Sequence, residues 1–399
     1  MRILFVNQHG GYFGGVEQHI AHIAPALTRR GHTCDLACGP SAGATAEAEF
    51  QSLFSQVIER PELAASAERH TDWLTTLCRT RTYDAVYMHK LPWLPEHPGG
   101  RTRMVRMVHD HDLTCPRRHK YFAHNGQICE HAAGWRCYLD GAFLARDRDA
   151  QLGVRFAPIA PKLEELARHR DLDALLVGSR WMAEQLSVNG VPAARVEIVP
   201  PAVPEPHDVA MMVPLAPTLL YAGQLVRGKG VDLLLAALAQ VRGPWLLQVV
   251  GTGAQEAELR ALTATMGLTD RVTFAGWRSP DEIVRAYRQA RLVVVPSRWP
   301  EPFGMVGLEA MHHGRGVVAF ATGGIPDWLD HGHTGLLVAP QDIRGLATAI
   351  ERGLYERGLA EQFGRAGRIR ARERFSFHAS VDRIERALQG AVAMPCEAA

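Results

Sequence analysis

Short apolar runs alternate with longer stretches of helical spacing along the whole chain. In the first half, Arg2–Val6, Thr33–Ala37, Asp84–Met88, Met104–Val108, Asp173–Val177 and Val196–Val199 read as strands. In the second half, Thr218–Ala222, Leu246–Val250, Val272–Phe274, Leu292–Val295, Val317–Phe320 and Leu336–Val338 do. These runs are predominantly apolar, as parallel strands covered on both faces are. Two such series predict two doubly wound α/β domains. Between them lie Pro200, Pro201, Pro204, Pro206, Pro214 and Pro217, which deny both helix and central strand. The predicted division is a first domain at 1–205, a Pro-rich linker at 206–217 and a second domain at 218–375. The apolar spacing of His378–Leu388 suits an amphipathic helix, and the segment 376–390 is expected to pack back on the first domain. The tail after Gly390 is expected to fray.

Composition narrows this picture. A chain of 399 residues is too long for one ordinary core. With 44 basic and 42 acidic side chains, the net charge of +2 gives no case for nucleic acid as a partner. A local basic patch for phosphate or an anionic membrane surface stays open. The opening MRILFV runs straight into Asn7 and Gln8, and neither a signal peptide nor a membrane span is visible. The expected location is the cytoplasm, with the inner face of the membrane as the place of any peripheral contact. Of seven cysteines, Cys34, Cys38, Cys78 and Cys396 show no framework spacing and are expected as thiols.

Four glycine- or proline-marked loops follow predicted strands. Gly10-Gly11-Tyr12-Phe13-Gly14-Gly15 precedes a helix from about Val16 to Arg30, whose N-terminal N–H groups suit an anion. A flexible strand-to-helix turn would read the same. Gly223-Gln224-Leu225-Val226-Arg227-Gly228-Lys229-Gly230 puts two cations on a loop at a strand's carboxyl end, as a diphosphate would need. A solvated charged turn is the alternative. Gly251-Thr252-Gly253 lacks a third glycine at the dinucleotide spacing. The fourth loop, Pro296-Ser297-Arg298-Trp299-Pro300-Glu301-Pro302-Phe303-Gly304-Met305-Val306-Gly307-Leu308-Glu309-Ala310, carries two carboxylates eight residues apart. Glu309 is placed about two turns into the following helix, since eight residues at 1.5 Å rise make roughly 12 Å. That spacing suits two contacts to opposite ends of an extended ligand, not a carboxylate pair around one bond. Phe303, Gly304, Met305 and Val306 would offer N–H groups to phosphate.

In the order and spacing of these motifs the chain resembles the retaining GT-B glycosyltransferases of family 4, the group that includes sucrose synthases and mannosyltransferases. The matching residues are Gly14 and Gly15, Lys229-Gly230, Glu301 and Glu309 with seven residues between them, Thr322-Gly323-Gly324-Ile325-Pro326 and Thr334-Gly335-Leu336-Leu337-Val338. The resemblance covers nearly the whole chain and is most specific from Tyr221 to Val338. It implies the GT-B fold, two doubly wound Rossmann-like domains facing across a cleft. It implies transfer of a sugar from a nucleotide-sugar donor, UDP- or GDP-linked, to a glycan or glycolipid hydroxyl, with retention. No cofactor or divalent metal is expected to be required, because Arg227, Lys229 and helix N–H groups would stabilise the leaving diphosphate in place of Mg²⁺. By the same resemblance Glu309 binds the donor ribose, Lys229 the diphosphate, and Glu301 and His109 serve the transferred sugar. Gln224 stands where the family often has Arg, with Arg227 as the substitute charge. Pro200-Pro201-Ala202-Val203 stands where the family has Pro-Asn-Gly-Val.

A further segment is dense in metal-ligating residues: His109, His111, Cys115, His119, His124, Cys129, His131 and Cys137. Cys115, Cys129 and Cys137 with one histidine would make a structural zinc site, although no C-x2-C knuckle is present. A loop with free thiols reads equally well. Basic residues in the same segment, with His111, Arg117, Arg118 and Lys120 as candidates, suit an anionic acceptor, a membrane surface or plain solvent.

Rival functions are few. A nucleotide-linked oxidoreductase needs G-x-G-x-x-G, which neither half supplies. A phosphorylase needs a lysine-bound pyridoxal group that the sequence does not identify. A GT-B-fold nucleotide-sugar epimerase and a non-catalytic sugar-nucleotide binding protein remain as alternatives to a transferase.

Overall fold

The structure is a computed structural model that describes residues 1–40, 46–63, 72–122, 125–146, 154–156, 158–201, 203–206 and 212–391. Of the positions singled out above, Ala202, residues 207–211 of the linker, His124, Cys396 and the tail from 392 lie outside the described residues. The chain divides into two compact units. One comprises Met1–Arg118, Glu130–Ala202 and Phe377–Ala399, and the other His119–Cys129 and Val203–Ser376. Residues 119–129 therefore cluster with the second unit, not with the first, where the sequence had placed them. Among the described residues here, Tyr121 bridges Ile128 antiparallel, Phe122 N–H donates to Gln127 O at 2.8 Å and Cys129 N–H to Lys120 O at 2.7 Å.

In the first unit the order is β1 (Arg2–Asn7), α1 (Gly15–Arg29), β2 (Thr33–Cys38), α2 (Glu47–Gln51), β3 (Gln56–Glu59), α3 (Trp73–Thr80), β4 (Ala85–Met88), β5 (Arg103–Val108), α4 (Arg136–Leu139), β6 (Leu144–Arg146), β7 (Val154–Phe156), α5 (Ala160–His169), β8 (Ala174–Val177), α6 (Arg180–Val188) and β9 (Val196–Ile198). Seven strands form one sheet in the order β3-β2-β1-β4-β5-β8-β9, and every pairing is parallel. Strands β6 and β7 pair antiparallel on their own. Period-2 alternation sends Ile3 and Phe5 of β1 into one apolar core and Leu4 and Val6 into the other. Both faces are thus covered, which is why β1 and β4 could be almost wholly apolar.

In the second unit the order is β10 (Thr218–Ala222), α7 (Val231–Leu238), β11 (Leu246–Val250), α8 (Glu256–Thr265), β12 (Val272–Gly276), α9 (Pro280–Gln289), β13 (Leu292–Val295), α10 (Met305–His312), β14 (Gly316–Phe320), α11 (Ile325–Trp328), β15 (Gly335–Val338), α12 (Ile343–Tyr355) and α13 (Leu359–Arg374). Its parallel sheet runs β12-β11-β10-β13-β14-β15, so the winding reverses between β10 and β13. That reversal opens a crevice at the carboxyl ends of those two strands, the usual ligand position in such sheets. Here too alternation splits the strand: Leu219 and Tyr221 of β10 enter one core, Leu220 the other.

The last helix, α14 (Phe377–Gln389), belongs to the first unit. Val381, Ile384, Ala387 and Leu388 join Ile20, Ile23 and Leu27 of α1 in one core. Polar contacts fix its register: Arg30 meets Asp382 at 2.6 Å and Glu385 at 2.5 Å, and Arg103 Nε donates to Ala387 O at 3.2 Å. Among the described residues, no helix is long and apolar enough to cross a membrane.

Candidate active site

The second unit's site is built where four strand-end loops touch backbone to backbone. Leu225 N–H donates to Thr252 O and Gly223 N–H to Val250 O, tying the loops after β10 and β11. A Cβ on Gly251 would lie 1.9 Å from Gly223 O, so only glycine permits that approach. Arg298 N–H and Trp299 N–H donate to Gly228 O, and Gly324 N–H donates to Glu301 O at 2.7 Å. Arg298, almost buried, clamps the 227–229 turn by donating to Arg227 O and pairing with Asp232 at 2.7 Å.

This scaffold brings Lys229 and Glu301, 72 residues apart, into direct contact. Lys229 Nζ donates to both Glu301 oxygens, at 2.8 and 3.0 Å. Ser297 Oγ also donates to Glu301 Oε1, as does Trp299 Nε1 at 3.0 Å. The Trp299 ring stands 5.0 Å from Lys229 Nζ, within cation–π range. Burial alone would raise the Glu301 carboxyl, but Lys229, Ser297 and Trp299 outweigh it and hold the group below the usual range. Glu301 is therefore a fixed anion, 5% exposed, beside a cation that is still 25% exposed. The Arg227 guanidinium is exposed and makes no ion pair or hydrogen bond among the described residues.

Helix α10 starts at Met305, after Gly304 at φ 94°, and has no side-chain cap. Gly307 N–H donates back to Gly304 O at 3.0 Å, while the N–H groups of Met305 and Val306 have no partner among the described residues and are available to an anion. Because Pro302 and Phe303 stay in the loop, Glu309 lies just over one turn into the helix, not two as the sequence spacing suggested. Phe303 is buried with its carbonyl accepting from Trp328 Nε1 at 2.6 Å, so it anchors the loop. Glu309 accepts from the Tyr287 hydroxyl at 2.7 Å. Burial pushes its carboxyl up, and that hydroxyl recovers only part of the shift.

In the first unit, Gly14 is the N-cap residue of α1. Its N–H is already taken by the Glu17 carboxylate at 3.0 Å, and Asn7 Nδ2 holds the other Glu17 oxygen at 3.0 Å. The loop expected to receive an anion thus carries an internal one at its first N–H. His109 follows β5 and lies 3.0 Å from His89 Nδ1, which follows β4. Burial, then Arg106 and Lys90, push the His109 imidazole down to about 3.

Three comparisons place this architecture. A family model described as "Glycosyl transferases group 1" matches residues 215–370, and one described as "Glycosyltransferase Family 4" matches residues 13–205. This chain is a member of the group 1, family 4 glycosyltransferases. A D-inositol 3-phosphate glycosyltransferase of Corynebacterium diphtheriae is 27% identical over 96% of the chain and 93% of its own length. That of Mycolicibacterium smegmatis is 34% identical over 52% of the chain, and the match spans only 51% of the relative. A GDP-mannose-dependent alpha-(1-6)-phosphatidylinositol monomannoside mannosyltransferase of Mycobacterium tuberculosis is 29% identical over 68% of the chain and 74% of its length. Among solved structures, Anabaena HepE in complex with UDP superposes with a TM-score of 0.71 at 19% identity, covering 98% of this chain and all of the other. The fold is GT-B.

Several positions of this glycosyltransferase differ from the sequence expectation. His111 is buried, its ring edge-on to Trp181 at 5.0 Å, so it is a packed residue and not an acceptor contact. Lys120 is 1% exposed in the 119–129 segment, which also removes it from any open basic patch. Arg118 is exposed near Asp112 at 3.6 Å, and Arg117 donates to the Asp140 carbonyl. Cys115 and Cys137 lie in one unit and Cys129 in the other. Among the described residues, the side chains gathered for a metal are His19, His89 and His109, not the three cysteines. Sequence reasoning also missed Tyr287, Ser297 and Trp299. The last two sat in the quoted motif, but nothing marked Tyr287 as the partner of a carboxylate 22 residues on.

Proposed function

We propose that this glycosyltransferase moves a sugar from a UDP- or GDP-sugar to a hydroxyl of a glycan or glycolipid, with retention of anomeric configuration. The observation that carries the reading is the Lys229–Glu301 pair at the carboxyl ends of β10 and β13. As the anomeric C–O bond breaks, its electron pair goes to the departing diphosphate and positive charge develops on the sugar. Lys229, Arg227 and the uncapped N–H groups of α10 stabilise the first charge, and the anionic Glu301 the second. Glu309, steadied by Tyr287, takes the donor ribose. His109 contacts the transferred sugar as a neutral imidazole. A group with a pKa near 3 is a weak general base at neutral pH, which supports retention over an inverting route through His109. Relatives lend support on both substrates: HepE is solved with UDP-glucose, the M. tuberculosis relative is GDP-mannose-dependent, and the acceptors named for relatives are inositol compounds.

The test is a thermal-shift screen with UDP-, GDP-, ADP- and dTDP-sugars, followed by NMR of the product. The matching donor at 100 times its Kd should stabilise by about 2.7 kcal/mol. The anomeric proton of the product should report the donor's configuration, and EDTA should leave turnover intact. An inverted product, or activity restored only by added Mg²⁺, would overturn the reading.

A further inference from the structure

Three histidines from three elements meet inside the first unit. His89 and His109 follow the neighbouring parallel strands β4 and β5, two residues apart in register and so on one face of the sheet. His19 comes down on that face from α1, whose apolar side packs there with Phe5, Tyr87 and Met107. One ring nitrogen from each lies within 4.8 Å of the other two. The ring centroids are 5.2, 5.3 and 5.8 Å apart. His19 and His89 are 3% and 1% exposed, and His89 Nε2 is buried with no hydrogen-bond partner.

From this geometry we propose that His19, His89 and His109 form a binding site for a borderline divalent transition metal, zinc being the natural occupant. Zinc binds imidazole nitrogen at ~2.0–2.1 Å, so tetrahedral ligands stand about 3.3 Å from one another. His89 Nδ1 and His109 Nε2, at 3.0 Å, need only a few tenths of an ångström more. His19 needs a shift of no more than about 1.5 Å, which a side-chain rotation supplies. A metal binds the neutral imidazole through a ring lone pair. The proton now shared between His89 and His109 need not be lost. It relocates by tautomerisation to the far nitrogen of its own ring, leaving the facing lone pairs for the metal. Three protein ligands leave a fourth position open. A small pocket of about 10 Å³, lined by His89, Lys90, Arg106, His109, Asp110 and Asp112, gives that position room for about one water, and the two carboxylates offset the two cations around it. The proposal concerns metal binding alone and does not depend on the transfer reaction.

The experiment uses the full chain without a polyhistidine tag, dialysed against ZnCl₂, desalted and measured by elemental analysis, with Co²⁺ as a spectroscopic substitute. About one metal per chain is expected, and His19→Asn or His89→Asn should each weaken binding by tenfold or more, since even outer-shell losses cost roughly 10–100-fold. A variant with Cys115, Cys129 and Cys137 all changed to Ser should bind as the parent does. If the histidine variants do not fold, the Co²⁺ spectrum of the parent decides: tetrahedral ligand-field bands without thiolate-to-metal charge transfer are expected. Less than ~0.2 metal per chain would overturn the proposal. So would binding untouched by either substitution in a folded variant, or a thiolate band.

Discussion

Lys229→Met removes the ammonium from Glu301 and keeps most of the aliphatic stem against Trp299. Glu301 then retains Ser297 and Trp299 as donors but has lost its counter-charge. Breaking one side of a buried pair costs ~3–5 kcal/mol. Lys229 is 25% exposed, so water replaces part of what is lost, and about 2–3 kcal/mol is the expected destabilisation. Glu301→Gln strands a cation that water can reach, so about 1–2 kcal/mol is expected. The double variant should be milder than the sum by a coupling of ~1.5–3 kcal/mol, the worth of hydrogen bonds to charged groups. The assay is urea titration read by hydrogen exchange in β10 and β13, which keeps the first unit's transition out of the number. The pH dependence gives a second readout. In the parent the Glu301 pKa is depressed, so its stabilisation is present above the unfolded value near 4.5 and lost as pH falls through the folded value. In Lys229→Met burial is no longer outweighed, the folded pKa rises, and mild acid should relieve the variant while it does nothing for the parent. Additivity within ~0.5 kcal/mol together with an unchanged pH slope would refute the argument.

Other outcomes follow from the same structure. Tyr287→Phe should weaken donor binding less than Glu309→Gln does, because Tyr287 only steadies the carboxylate; equal losses in isothermal titration would mean that Tyr287 itself meets the donor. His109, with its folded pKa depressed to about 3, contributes stability that is full above the unfolded value of 6.5 and is lost as pH falls between the two. His109→Asn should therefore flatten the first unit's stability-versus-pH slope in that window by up to ~1.4 kcal/mol per pH unit. Gly230→Ala places a Cβ 2.0 Å from Pro296 O at φ +71°, and should cost at least ~2 kcal/mol and abolish donor binding. A normal melting curve would show that the loop has room to move.

The second unit's sheet was nearly all legible because its central strands β10, β13 and β14 are buried on both faces and read as nearly unbroken apolar runs. Strand β3, QVIE, was not, since an edge strand with one half-solvated face carries polar residues that mimic a loop. The three-residue strands β6 and β7 were too short for any pattern to emerge. Glu301, Lys229 and Glu309 were recoverable as motif positions, but their partnerships were not. Lys229 and Glu301 meet because two strands adjacent in space, β10 and β13, are separated by two others in sequence. Local spacing overcounted the helix before Glu309, because the turn at Gly304 delays its start. The cysteine and histidine density of 109–137 misled for a related reason: neighbours in sequence were taken for neighbours in space, while the gathered imidazoles came from residues 19, 89 and 109.

The position of α14 bears on how the chain is made. The first unit's core contains Val381, Ile384, Ala387 and Leu388, which leave the ribosome only after the whole of Val203–Ser376. At ~5–20 residues per second those intervening residues take roughly 10–35 seconds to synthesise. During that interval β1, β2 and α1 exist with one wall of their core missing. The second unit, contiguous over nearly its whole length, can close in the meantime. The part of the molecule synthesised first is thus completed last, and its apolar face is the surface on which a nascent-chain chaperone would act.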